Sequence, residues 1–193
     1  MRGICIALVA CLAASPALCG VKISVKTETY SIVGNTGEAL LDAMDLRGPR
    51  YGLLARAMAQ TRYKVEWDDD WLRSGSKCRL KSADATLSIV YRYPALARPA
   101  SRKLERRWKA FMAGVRQHEE MHGRLARQMV LAAHKSVSRL ARRDDLCIRS
   151  KRQFERIIDA VYAKYEARQA RFDEVEHGEG GNVDRLLDML TRE

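Results

Sequence analysis

The sequence predicts an α+β fold, with antiparallel strands and one short helix in the N-terminal half and long helices in the C-terminal half. Two observations carry this. Before Pro94 the apolar residues alternate with polar ones, the period of a half-buried strand. After Ser101 they recur at steps of three and four, the period of a helix with one buried stripe.

Val21 to Val33 alternates and reads as the first strand. Gly37 to Leu46 reads as a short helix, with Thr36 as its N-cap and Gly48-Pro49 as its stop. Ala57 to Trp67 alternates again, and Asp68-Asp69-Asp70 and Ser74-Gly75-Ser76 read as the two ends of a loop. The aspartate triplet lacks the spacing and terminal glutamate of a calcium loop, so it reads as a solvated turn. Asp84 to Tyr93 forms the last alternating run.

A Pro-free run from Ser101 to Leu140 then allows one long helix, whose stripe is Leu104, Trp108, Phe111, Val115, His118, His122, Leu125 and Met129. A second amphipathic helix carries Phe154, Ile157, Ile158, Val161 and Tyr165 on one face and gives out near His177. Asn182 to Thr191 fits a short capping helix with Leu186, Leu187 and Leu190 facing inward.

The stripe of the long helix is interrupted by chemistry: His118-Glu119-Glu120-Met121-His122. Two histidines four apart share one helix face, about one turn from each other, and can grip a single ion. Zinc held by two imidazoles and a third ligand keeps a position open for water, and Glu119 is placed to take a proton from that water. The pattern predicts a metal-dependent hydrolase, most often a peptidase. His134 lies twelve residues beyond His122, about 18 Å along the same helix, and reads as a surface residue. A histidine six residues after His122 would mark a metzincin, but Gln128 stands there. On the residues alone the third ligand is shared among His177, Asp173, Glu174 and Glu166, with Gly178, Gly180 and Gly181 allowing a sharp turn beside the site. Tyr162 and Tyr165 are candidate oxyanion donors, against the alternative that both are packing residues.

Residues 1–19 combine Arg2, an apolar stretch from Ile4 to Ala14 and small residues through Ala17 and Cys19, which predicts a secretory signal peptide cut after Ala17 or Cys19. Residues 20–193 then read as a single metalloprotease-like domain, exported to the periplasm or beyond, with no transmembrane segment. Cys78 and Cys147 remain in the mature chain and, in an oxidising compartment, predict one disulfide. The net charge of +11 is uneven, with sixteen Lys and Arg against five Asp and Glu from Arg98 to Arg152. That surplus reads as a solvated helix face, or as a surface for an anionic envelope polymer. No recognition motif accompanies it, so nucleic acid is not an expected partner.

Several segments together resemble the DUF922 family, a group described as predicted secreted zinc-dependent proteases. They are Thr29 to Gly34, Arg47-Gly48-Pro49, Ala59-Gln60-Thr61 with Val65-Glu66-Trp67, and Cys78 with the run to Pro94. Trp108, His118 to His122, Cys147, Phe172-Asp173 and His177-Gly178 complete the resemblance. Phe172 departs from an expected tyrosine, and Glu176 is a more acidic neighbour to the histidine than the pattern suggests. The resemblance implies His177 as third zinc ligand, with Asp173 as an alternative ligand or a partner to an imidazole. The resulting expectation is an exported zinc peptidase acting on a peptide or protein substrate, with Glu119 as base. Two rivals stand beside it: a non-catalytic envelope protein with a structural zinc, and a zinc amidase acting on cell-wall peptides.

Overall fold

The computed structural model describes residues 20–51 and 55–192, so the expected signal segment 1–19 lies outside the described residues. Its centre is a mixed sheet built on a long hairpin. Strand β1 (Val21–Ile32) is followed by helix α1 (Gly37–Arg47), which the Thr36 side chain caps by accepting from the Ala39 amide at 3.2 Å. Two short strands, β2 (Arg50–Tyr51) and β3 (Ala55–Arg56), pair with each other. Then come β4 (Gln60–Ser74) and β5 (Lys77–Leu96), joined by a tight turn at Gly75, whose φ of 58° favours glycine.

The α+β reading holds, with strands first and long helices second. The pairing differs from an all-antiparallel arrangement: β5 lies between β4, antiparallel, and β1, parallel. Alternation fixes which face of a strand is buried but not which neighbour it takes or in which direction. The aspartate triplet also differs from the expected turn. Asp68, Asp69 and Asp70 lie inside β4, paired with Asp84, Ala83 and Ser82, and the register shifts between Asp70 and Trp71. Backbone pairing across the hairpin outweighs the low strand preference of aspartate, whose side chains stay in water here.

Helix α2 (Arg102–Val137) begins at Ser101, whose hydroxyl accepts from the Leu104 amide, and runs on through a 3₁₀ turn (Ser138–Arg142). The expected apolar stripe is buried: Leu104, Trp108, Phe111, Val115, Leu125 and Met129. Between Val115 and Leu125 the buried line passes through Glu119 and Gly123, while the two histidines sit beside it with side chains 11% and 14% exposed. A Cβ on Gly123 would run into the Tyr91 hydroxyl, so glycine lets α2 settle onto β5 at this level.

A two-residue strand, β6 (Asp145–Leu146), pairs with the start of β5 and leads into α3 (Cys147–His177). Cys78 and Cys147 are joined in a disulfide with Cα atoms 4.6 Å apart. Around it a small apolar cluster packs Phe154 edge-on against Trp67 and Trp71, with Leu80, Val137, Leu140 and Ile158. The main core lies between the sheet and α2 and is completed by α1 and by α4 (Asn182–Thr191), which buries Leu186 and Leu190. No helix among the described residues is long and apolar enough to cross a membrane.

Candidate metal centre

Helices α2 and α3 pack side by side, and the motif faces the seam between them. His118 Nε2 and His122 Nε2 are 3.1 Å apart. Asp173 Oδ1, from α3, lies 2.9 Å from His122 Nε2 and 3.5 Å from His118 Nε2. His177, exposed at the last turn of α3, stands edge-on to His118 with ring centroids 5.4 Å apart. His118, Asp173 and His177 each offer one ligand atom, all within 4.8 Å of one another. Glu166 and Glu174 point to solvent on α3 and are not members of this group.

The opposite ring nitrogens are also engaged. His122 Nδ1 is 2.6 Å from Gln169 Oε1, and His118 Nδ1 is 3.4 Å from Glu176 Oε2, which also accepts from the Asn182 side chain at 3.0 Å. An acceptor at each Nδ1 favours a proton there, the tautomer whose Nε2 lone pair is free for a metal. Phe172 fixes the ring planes, its centroid lying 4.9 Å from His118 and 5.2 Å from His122. Burial holds the His118 imidazole below the usual histidine value; Glu119 opposes this, His122 adds to it, and Glu176 and Asp173 oppose it more weakly. Neutral imidazole is the form that binds metal.

The donor set fits a cation. Ligand atoms about 2.0–2.1 Å from a tetrahedral ion lie roughly 3.4 Å apart, and the three separations among His118, His122 and Asp173 bracket that spacing. With the ring protons at Nδ1, two imidazole lone pairs and a carboxylate oxygen converge, and they repel one another unless a positive charge joins them.

Glu119 is held from below. Its carboxylate is buried, and the Thr61 hydroxyl on β4 lies 2.6 Å from Oε2 and 2.9 Å from the Glu119 carbonyl oxygen. The tyrosines expected as oxyanion donors are not brought to this cluster. Tyr162 accepts from the Trp67 indole at 2.9 Å, eleven residues or about 16 Å along α3 from Asp173. Tyr165 lies under the Arg168 guanidinium, about 12 Å from Asp173 by the same rise. His134 is half-buried farther along α2.

Thr61 and Gln169 escaped the sequence reading as site residues. The signal for Gln169 was present: 169, 173 and 176 are spaced at four and three, a polar stripe on the face of α3 that meets α2.

The model of DUF922, described as a bacterial protein of unknown function, matches residues 27–181. The chain belongs to the DUF922 family. The match takes in the sheet from Thr27 of β1 onward, the two long helices and every residue of the histidine cluster. No curated protein and no solved structure matches this DUF922 chain.

Proposed function

We propose that this DUF922 chain is an exported zinc-dependent peptidase, with His118, His122 and His177 as the zinc ligands and Glu119 as the general base. The observation that carries the reading is the convergence of the His118 and His122 Nε2 atoms, 3.1 Å apart, each ring anchored at Nδ1 by an acceptor from α3. When bound there, zinc supplies Lewis-acid polarisation of a carbonyl and lowers the pKa of a water molecule. Glu119 takes the proton of the attacking water and delivers it to the leaving amine. Thr61 holds that carboxylate at Oε2, which leaves Oε1 for proton transfer. The disulfide supports export, since such bridges persist in oxidising compartments. An anionic envelope polymer along the basic outer face of α2 belongs to the same reading.

The test is Glu119→Gln. It abolishes peptide hydrolysis, at least about 100-fold, while bound zinc is unchanged. Full retained hydrolysis removes Glu119 as base.

One observation favours a second reading, a structural zinc in a non-catalytic envelope protein. Asp173 Oδ1, 2.9 Å from His122 Nε2, is near enough to serve as a fourth ligand and close the site. Asp173→Asn separates the two: it raises or preserves hydrolysis if the position belongs to substrate, and lowers thermal stability if it completes a structural cage. A zinc amidase shares the chemistry and differs only in substrate, so cell-wall peptides belong in the same assay.

A further inference from the structure

Gln169 ties α3 to α2 through both ends of one amide. Its Oε1 lies 2.6 Å from His122 Nδ1, and its Nε2 donates to the main-chain oxygen of His122 at 3.3 Å. Burial raises the pKa of the Tyr63 hydroxyl on β4, and the Gln169 side chain opposes that rise. A main-chain carbonyl only accepts, so the amide nitrogen must face it; a flipped amide would set two carbonyl oxygens against each other. With the nitrogen placed by the His122 carbonyl, Oε1 is left facing the ring, and the ring must present Nδ1–H.

This matters because Asp173 pulls the other way. Its Oδ1, 2.9 Å from His122 Nε2, would take an Nε2–H hydrogen bond and block the nitrogen that a metal needs. We infer that Gln169 is a positioning residue that keeps the His122 proton on Nδ1 and the Nε2 lone pair open to a metal. The inference rests on the metal reading above only for the identity of the ion. It adds a determinant from outside the motif that explains why α3, and not α2 alone, sets affinity for the metal.

The experiment uses the full chain and two readouts. In the metal-free protein at alkaline pH, where the histidines are neutral, two-bond ¹⁵N–¹H correlation reports each imidazole tautomer. Zinc affinity is measured by competition with a chromophoric chelator. Wild type shows His122 as Nδ1–H. Gln169→Met, which keeps the volume and removes both functions, shifts His122 to Nε2–H and weakens zinc about 10–100-fold. Gln169→Glu, which retains the acceptor, keeps most of the affinity. Gln169→Leu, close in volume and without either function, decides the matter if Gln169→Met does not fold. An Nδ1–H tautomer with undiminished zinc affinity in the variants overturns the inference. A tautomer that is released in the variants, in a wild type that takes up no zinc, leaves the inference standing and removes the metal reading instead.

Discussion

Glu119 is buried against the sheet, yet the proposed reaction asks it to exchange a proton at the edge of the helix seam. The Thr61 hydroxyl reconciles the two by giving the buried carboxylate a partner at 2.6 Å. Thr61→Val preserves shape and removes that donor. An underpartnered buried carboxylate costs about 1–3 kcal/mol, and its orientation loosens. The expected outcome is a turnover number lowered about tenfold with little change in KM, checked by steady-state kinetics on the same peptide used for Glu119→Gln. A second residue makes an independent, pH-based prediction. The Tyr30 hydroxyl is buried and donates to the Met58 carbonyl at 2.6 Å, and burial raises its pKa to about 12. The folded value lies above the unfolded value of about 10, so the folded chain holds this proton longer. Its stabilising contribution is complete below pH ~10 and is lost as pH rises toward about 12. Urea midpoints measured across that window should fall in wild type and stay flatter in Tyr30→Phe.

At the scale of elements, the hairpin of β4 and β5 and the start of α3 are tied by the Cys78–Cys147 bridge, across a separation of 69 residues. Closing a loop of that length stabilises by about 4 kcal/mol in the chain-entropy model. Cys78→Ser with Cys147→Ser should therefore lower Tm by about 10 °C, read by calorimetry. Because α3 starts at that bridge and ends at His177, the double variant should also weaken metal binding. The elements themselves were largely legible in the sequence. The Thr36 cap, the stripe from Leu104 to Met129 and the closing helix at Asn182–Thr191 follow from local pattern, because each depends on residues a few positions apart. What stayed illegible depends on relations between elements. Nothing in the alternation of Val21 to Val33 says that it lies parallel to β5. Nor does the spacing of α3 say where it slides against α2, and that offset decides that Gln169 and Glu176 meet the two Nδ1 atoms while Tyr162 meets Trp67 instead.

For the whole molecule, the main core is apolar, and the histidine cluster sits at the helix seam beside it. Chelation therefore separates a catalytic metal from a structural one. Chelation should abolish hydrolysis while far-UV circular dichroism keeps most of its amplitude, and the melting midpoint should fall by only the binding contribution. Collapse of the fold on chelation would support the structural reading, in which the ion is inseparable from folding.

The most direct test of the central claim is the metal content of the purified full chain, beside His118→Ala and His177→Ala. The account predicts about one zinc per wild-type chain, held between the two long helices, and its loss in both variants. A wild type free of metal, or a His118→Ala chain that retains its full complement, would contradict it.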